Sequence, residues 1–216
     1  MSNELLNRCR EYGFTFDQLE QQILYNAAKS VKDVEGIICE IGLREAGGMS
    51  VMMMGCLDNN DTNHPFLAID PYGNIAYNWQ ENMTVIPDYT NQMKNKTLTN
   101  LYNFCFEKNL NFNLLCLEDT EFFDKFENGV PIYTEAKKII FEKYALIHFD
   151  GPHTVNDIIN EVKFFKDKMS IGGYLVFDDA YVGYYDHDKV EDCILEGDYY
   201  ILVEKSTHKA SYKRTK

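Results

Sequence analysis

Residues 144–181, YALIHFDGPHTVNDIINEVKFFKDKMSIGGYLVFDDAY, decide the fold that the sequence predicts. The stretch opens with a short apolar run that ends at Asp150 and closes with a second apolar run that ends at Asp178 and Asp179. Between the runs, apolar residues recur at helical spacing over 155–168, and we expect the Gly-Gly pair at 172–173 to stop that helix. A strand–helix–strand unit of this length is a right-handed crossover between parallel strands.

The carboxyl ends of parallel strands lie at the same edge of a sheet, so Asp150, Asp178 and Asp179 are expected to meet in one crevice. Three carboxylates that approach one another need a shared proton, a basic partner or a bound cation. No Lys or Arg falls at either strand end. Turn and capping chemistry explains each residue singly, but the three together favour a site for a hard divalent ion, Mg²⁺ in particular.

The composition is that of an acidic globular chain. Its 216 residues suffice for one large α/β domain. With 21 basic and 34 acidic residues the formal net charge is −13, which argues against nucleic acid or an anionic membrane as partner. The sequence shows no secretory hydrophobic region, no membrane-spanning apolar stretch and no C-x-x-C pair among its six cysteines. We therefore expect a reduced, cytoplasmic protein.

Further elements alternate on both sides of the central unit. Residues 3–34 predict two helices broken near Gly13, with Thr15 and Gln18 as a capping box for the second. Strands are predicted at 36–41, 66–69 and 112–117, helices at 49–57, 91–108 and 188–195, and an antiparallel pair at 199–204 and 208–214. Residues 72–90 form a long aromatic segment containing Trp79, and we expect this segment to be a substrate lid.

Polar residues follow the other predicted strands as well. A glycine-containing turn after the first strand would allow close backbone approach to a ligand, although such turns are common without one. Asp70 ends the second strand, where it can accept hydrogen bonds from ribose hydroxyls or simply form a turn. Glu118, Asp119 and Thr120 follow the third strand, where this polar loop can contact a purine base, or where Asp119 or Thr120 can cap the next helix.

Four segments, GIICEIG, FLAIDP, ALIHFDGPH and GGYLVFDDAY, together resemble the class I S-adenosylmethionine (SAM)-dependent methyltransferases. Within that class the chain is similar to the small metal-dependent O-methyltransferases of the macrocin (TylF-like) family. The resemblance runs from about residue 36 to 204. It implies a Rossmann-like, doubly wound, seven-stranded, mostly parallel sheet with a C-terminal antiparallel hairpin, preceded by N-terminal helices. Residues 1–35 would be a helical extension and 36–216 the methyltransferase domain.

The same resemblance implies a role for each of the strand-end residues. The methionine part of SAM would be held by Glu40, Gly42, Gly47, Gly48 and Ser50. Asp70 would take the ribose hydroxyls, and the loop of Glu118, Asp119 and Thr120 would lie near adenine. Mg²⁺ would be bound by Asp150, Asp178 and Asp179. Asp150 would also belong to the catalytic residues, together with His153, which matches the position of the general base.

The implied activity is Mg²⁺-dependent methylation of a hydroxyl on a small polyhydroxylated molecule, a sugar or sugar-containing metabolite. A metal that binds the acceptor oxygen lowers its pKa, and the imidazole of His153 can then take the proton near neutral pH. Two alternatives stay open, because one fold hosts many reactions. They are a metal-binding relative with hydroxylase-like chemistry and a binding or scaffold protein without catalysis. Family members are often oligomeric, so a homo-oligomer is expected.

Overall fold

The computed structural model describes residues 2–73, 75–80, 83–134, 136–152 and 154–216. The helices and strands follow one another along the chain as α1 (Ser2–Glu11), α2 (Gln22–Lys29), β1 (Ile37–Ile41), α3 (Gly47–Leu57), β2 (Pro65–Ile69), β3 (Tyr77–Gln80), β4 (Met83–Val85), α4 (Asn91–Lys108), β5 (Asn111–Leu115), α5 (Asp119–Phe126), β6 (Val130–Tyr133), β7 (Lys138–Phe141), β8 (Tyr144–Phe149), α6 (Val155–Phe165), β9 (Met169–Phe177), α7 (His187–Leu195), β10 (Tyr200–Lys205) and β11 (Ala210–Arg214).

Seven of these strands form one central sheet in the order β10-β11-β9-β8-β1-β2-β5. The strands β9, β8, β1, β2 and β5 run parallel, whereas β11 is antiparallel to both β9 and β10. This topology confirms the predicted Rossmann-like sheet with an antiparallel C-terminal hairpin. The first strand lies between β2 and β8, so the chain reverses its direction of progress at β1. Ligands of open α/β sheets bind at such a switch point.

The sheet is covered by helices on both faces, which makes the fold doubly wound. Side chains alternate along a strand, so Ile38 of β1 packs into one core while its neighbours Ile37 and Cys39 pack into the other. Residues of α1 to α4 belong to the first core and residues of α5 to α7 to the second. Because both faces are covered, β1, β2 and β8 are buried along their whole length, and their residues are apolar apart from Glu40 and His148.

Several local predictions were wrong. Helix α6 ends at Phe165, and the two glycines predicted to stop it lie inside β9, at a register shift against β8. Gly173 is required there, because an added Cβ would lie 2.8 Å from the backbone oxygen of Ala145. Helix α2 begins only at Gln22 and has no side-chain cap, so the capping box of Thr15 and Gln18 does not form.

Two further segments contain small hairpins. Within the predicted lid at 72–90, β3 pairs with β4, and after α5 the chain forms the hairpin of β6 and β7. Every described helix is too short or too polar to cross a lipid bilayer.

Candidate functional site

A cleft of about 770 Å³ opens at the carboxyl ends of β1, β2, β8 and β9. This volume lies within the usual range of small-molecule sites. Most of the predicted site residues line the cleft, namely Gly42, Gly47, Gly48, Asp70, Glu118, Asp119, Thr120, Asp150, Asp178 and Asp179. The fold therefore brings together residues that are up to 137 positions apart in the chain, between Gly42 and Asp179. The predicted base His153 lies outside the described residues.

The glycines after β1 are required by close packing of the chain on itself. Gly42 has a φ of +86°, and an added Cβ would overlap the backbone oxygen of Asp150. At Gly48, an added Cβ would overlap the Glu40 carboxyl and lie 2.8 Å from the His148 ring. At Gly47, an added Cβ would lie 2.6 Å from the backbone oxygen of Thr15. These contacts keep the turn small, so that its backbone lines the cleft.

Asp70 fixes the shape of that turn. Its Oδ2 accepts hydrogen bonds from the backbone N–H groups of Leu43 (2.9 Å) and Arg44 (2.8 Å), and its Oδ1 accepts one from Tyr72 (2.8 Å). Burial raises the pKa of Asp70, and the three backbone bonds oppose that change. Each carboxylate oxygen can accept two hydrogen bonds, so Oδ1 retains one acceptor position for a ligand hydroxyl.

The loop after β5 caps the next helix and faces the cleft at the same time. Glu118 is the N-cap of α5 and forms a capping box with Glu121, whereas Asp119 accepts a 2.8 Å hydrogen bond from the backbone N–H of Thr120. The N-cap is thus Glu118 and not Asp119 or Thr120, and the contact of this loop with a purine base stays a prediction. Burial is the largest cause that raises the pKa of Asp119.

Two predicted cofactor residues do not reach the surface of the cleft. Glu40 is 1% exposed, and its Oε1 lies 2.8 Å from Nδ1 of His148. Ser50 is fully buried in α3, where its hydroxyl donates to the backbone oxygen of Gly47 at 2.7 Å. Direct contact between either side chain and a bound ligand would require the turn to rearrange.

A buried lysine lies against one of the three strand-end carboxylates. Nζ of Lys209 is 2.6 Å from Oδ1 of Asp178 and 3.1 Å from Nε2 of His148. The same Asp178 oxygen accepts a 3.1 Å hydrogen bond from the side-chain amide of Gln18. Lysine is only a donor, so Nε2 of His148 accepts, and Nδ1–H donates to Glu40. A continuous chain of polar contacts thus runs from Glu40 to Asp178 beneath the cleft.

This arrangement separates the pKa values of the two neighbouring carboxyls. Burial is the largest single effect on Asp178 and opposes its ionisation, but the Lys209 ammonium, the His148 ring and the hydrogen bonds from Lys209 and Gln18 together outweigh it and lower the pKa of Asp178 below its ordinary value. At Asp150, burial and the negative charge of Asp178 raise the pKa well above its ordinary value. Asp178 is therefore the more acidic of the two carboxyls, and Asp150 is the more basic.

The described residues do not fit a magnesium site of three free carboxylates. Asp178 already has two donors on one oxygen, and Oδ1 of Asp179 lies 3.3 Å from Nδ1 of His208. Among the described residues, the only set whose ligand atoms all lie within 4.8 Å of one another is Glu40, His148 and Asp150. Of that set, Glu40 and His148 are buried and hydrogen-bonded to each other. Asp178 and Asp179 stay predicted metal ligands. To bind a metal, their carboxylates would have to leave their present hydrogen-bond partners.

Sequence reasoning missed three residues of this region, Gln18, His208 and Lys209. Gln18 belongs to the N-terminal segment that precedes α2, and His208 and Lys209 belong to the turn before β11. An antiparallel strand begins at the edge where its parallel neighbours end, so the predicted last strand could have indicated the two turn residues. His208 lines the cleft, whereas Lys209 lies behind Asp178 and is fully buried.

Two neighbouring aromatic residues form an aromatic wall of the cleft. The rings of Trp79 and Tyr184 have centroids 4.9 Å apart, and both residues line the cleft. Trp79 lies in the predicted lid at 72–90, and Tyr184 lies in the loop that follows β9. Tyr77 and Tyr89 of the lid also line the cleft, so the lid segment forms a wall of it in the described conformation.

Solved structures that are similar to this chain include methyltransferases. The chain is similar to the O-methyltransferase NovP, with 16% identity and a TM-score of 0.59 over 91% of this chain and 79% of NovP. It is similar to CalS11, the TDP-rhamnose 3'-O-methyltransferase of calicheamicin biosynthesis, with 13% identity and a TM-score of 0.57 over 98% of this chain and 93% of CalS11. PaMTH1 of Podospora anserina, solved with S-adenosylhomocysteine (SAH) bound, matches with 12% identity and a TM-score of 0.54 over 99% of this chain and 87% of PaMTH1.

These similarities establish the fold. The chain has the Rossmann-like fold of class I SAM-dependent methyltransferases, with the strand order and the C-terminal antiparallel strand described above. No protein-family model and no curated protein matches the sequence. The narrower resemblance to the TylF-like family therefore stays a prediction.

Proposed function

We propose that this protein is a SAM-dependent O-methyltransferase that acts on a hydroxyl of a small polyhydroxylated molecule, a sugar or sugar-containing metabolite. The observation on which the proposal rests is that one cleft is lined both by the predicted cofactor residues Gly42, Asp70 and Asp119 and by the strand-end carboxylates Asp150 and Asp178. A cofactor and an acceptor bound in that cleft would lie next to each other.

The cofactor side of the cleft fits SAM. The turn from Gly42 to Gly48 lines the cleft, Asp70 retains an acceptor position for a ribose hydroxyl, and the loop at Asp119 lines the cleft as well. When bound, SAM supplies an electrophilic methyl group on a positively charged sulfur. The acidic residues that line the cleft favour binding of this positively charged cofactor. The protein holds the acceptor oxygen in line with that methyl group, and such positioning accounts for much of the acceleration in a two-substrate reaction.

The charge of the cleft limits the class of acceptor. Nine of the lining residues are Asp or Glu, whereas Arg44 is the only Lys or Arg among the described residues that line it. Arg44 is itself paired with Asp17. This field repels phosphorylated compounds. CalS11 is described as acting on TDP-rhamnose; for the present chain we propose a neutral or amine-bearing sugar compound instead, placed against Trp79 and Tyr184.

Methylation of a hydroxyl releases a proton, and Asp150 is placed to accept it. This carboxyl lines the cleft, and its raised pKa brings its proton affinity closer to neutral pH. His153 stays the predicted alternative base. The predicted Mg²⁺-dependent form of the reaction, with Asp150, Asp178 and Asp179 as ligands, would require Asp178 to leave Lys209. The proposed reaction therefore has no step through a metal.

The decisive experiment is calorimetric titration of SAH into the purified protein, followed by incubation with SAM and candidate acceptors. Micromolar SAH binding, with a mass gain of one methyl group on a neutral or amino sugar glycoside, is the expected result. Nucleotide sugars and phosphorylated sugars serve as matched anionic acceptors. SAH binding without methylation of any hydroxyl compound would favour a binding protein. Absence of SAH binding would contradict the methyltransferase proposal altogether.

A further inference from the structure

Lys209 reaches the site from the far end of the chain through the geometry of the last strand. The turn between β10 and β11 is closed by a 2.7 Å hydrogen bond from the backbone N–H of Ser206 to the oxygen of Lys209. Because β11 runs antiparallel to β9, Ala210 at its start pairs with Phe177 at the end of β9. Lys209 therefore enters the sheet edge beside Asp178, the residue that follows Phe177.

The lysine is enclosed and its contacts are specific. It is 0% exposed, and its ammonium contacts Oδ1 of Asp178 and Nε2 of His148, at 2.6 Å and 3.1 Å. Lysine is almost never fully buried unless it is paired with an opposite charge. The pair of Lys209 and Asp178 is neutral as a whole, so the negative charge of one strand-end carboxylate is already balanced within the protein.

A divalent ion at the same carboxylate would be close to this ammonium. Magnesium binds carboxylate oxygens at about 2.1 Å, and Nζ of Lys209 lies 2.6 Å from Oδ1 of Asp178. An ion on that oxygen would lie no more than about 4.7 Å from Nζ. The ion and the Lys209 ammonium would repel each other, and solvent would screen this repulsion only in part because the site is partly buried. Gln18 donates to the same oxygen as well. Charge and hydrogen bonding both oppose a metal at this position.

We propose that Lys209 takes the place of the divalent cation at the strand-end carboxylates, so that the site binds no divalent metal and works without one. Lys209 acts through Asp178 and is thus a positioning residue: its ammonium holds the Asp178 carboxylate and so fixes the end of β9 beneath the cleft. The part of this inference that concerns catalysis rests on the proposed methyltransferase function. The part that concerns metal binding does not.

The test is a titration of the protein with Mn²⁺, followed by electron paramagnetic resonance, in which free and bound Mn²⁺ give different signals. We expect the wild type to bind no Mn²⁺ tighter than millimolar. Lys209→Met removes the charge at nearly constant size and frees Asp178 from the ammonium. The affinity for Mn²⁺ should therefore rise by at least about tenfold, because the repulsion that is removed exceeds the free energy of a tenfold change in affinity. Lys209→Arg retains the charge and should behave as the wild type. Lys205→Met, at an exposed position of the same hairpin, is the matched control.

A measurement of thermal unfolding keeps the test decisive if Lys209→Met is unstable. Removal of one partner of a buried ion pair is strongly destabilising. A ligand that binds only the folded state raises the unfolding temperature, so Mn²⁺ should stabilise Lys209→Met and leave the wild type unchanged. Lys209→Met combined with Asp178→Asn removes both charges, and Mn²⁺ should no longer stabilise that protein.

Two results would overturn the inference. One is stoichiometric, tight Mn²⁺ binding by the wild type that is lost in Asp178→Asn. The other is equal Mn²⁺ affinity of Lys209→Met and the wild type. In the catalytic arm, turnover in EDTA should equal turnover in Mg²⁺ within about twofold, whereas a strict requirement for Mg²⁺ would contradict the inference. Failure of the methyltransferase proposal itself would appear separately, as a lack of SAH binding with the Mn²⁺ results unchanged.

Discussion

Nδ1 of His148 lies 2.8 Å from Oε1 of Glu40, and the two residues are direct neighbours on the paired strands β8 and β1. Both are enclosed, with 0% and 1% exposure. Burial raises the pKa of Glu40 and lowers the pKa of His148, each well away from its ordinary value. The pair is thus a neutral hydrogen bond across the middle of the sheet, directly beneath the cleft.

Glu40→Gln should leave the free energy of unfolding within about 1 kcal/mol of the wild type, because the amide oxygen can still accept from His148. Glu40→Leu has a similar volume but leaves Nδ1–H of His148 unpaired, so we expect a loss of about 1–3 kcal/mol. Urea unfolding at neutral pH measures both. An equal loss in both variants would show that Glu40 is ionised and interacts through its charge.

Gly42→Ala should prevent stable folding or lower the unfolding temperature severely, since the new Cβ would overlap the backbone oxygen of Asp150. Gly183 is a matched control, with a nearly identical φ (+87° against +86°) and no atom within 4 Å of an added Cβ. Gly183→Ala should cost only the left-handed backbone strain, about 1 kcal/mol. Similar losses in both variants, measured by thermal unfolding, would mean that the contact with Asp150 yields when a methyl group is added.

The strands of this fold could be predicted because their signal is local. The apolar runs at 144–149 and 174–177 each show a buried strand within a few residues, and the intervening helical spacing sets their parallel arrangement. The acidic residues that follow them therefore come to one cleft, as expected. The end of the helix between them was harder to predict from sequence. Glycines stop helices but also permit irregular strands, and here Gly173 lies in β9, where it allows the close approach of the Ala145 backbone.

The polar contacts beneath the cleft could not be predicted in the same way, because each joins distant parts of the chain. Gln18 and Asp178 are 160 residues apart, and Glu40 and His148 are 108 apart. Lys209 follows Asp178 by only 31 residues, but Asp178 lies at the end of β9, whereas Lys209 lies in the turn between β10 and β11. The sequence shows that the carboxylates need a positive charge nearby, and only the tertiary structure shows that a lysine provides it.

The stability of the protein should fall below neutral pH because of buried His187. This ring contacts the hydroxyls of Tyr185 (3.2 Å) and Tyr212 (3.0 Å), and burial lowers its pKa to about 4. The unfolded chain binds the proton near pH 6.5, so the stabilisation present above that value is lost as the pH falls towards 4. The expected loss from this group is roughly 3 kcal/mol. His187→Gln should flatten that part of the profile in urea unfolding, and an unchanged slope would contradict the assignment.

Asp70→Asn should weaken both folding and cofactor binding. An amide nitrogen cannot accept, so at least one of the three backbone hydrogen bonds to this side chain is lost, at about 1–3 kcal/mol for each unpaired group. Asp119→Asn is the control, because Asp119 accepts one such bond. Urea unfolding and SAH titration of both variants separate the two effects. A loss of SAH affinity in Asp70→Asn without loss of stability would restrict Asp70 to ligand binding.

Trp79→Ala should impair use of the acceptor more than binding of the cofactor. Trp79 and Tyr184 both line the cleft, with ring centroids 4.9 Å apart, so removal of the indole opens the aromatic wall that we assign to the acceptor. We expect the KM for the acceptor to rise by about tenfold, the effect of one lost aromatic contact of roughly 1.4 kcal/mol. The SAH dissociation constant, from calorimetry, should change by less than about twofold.

Tyr102→Ala, an exposed aromatic outside the cleft, controls for general loss of aromatic surface. A parallel loss of SAH affinity in Trp79→Ala would instead place the cofactor against the lid and require the acceptor to bind elsewhere.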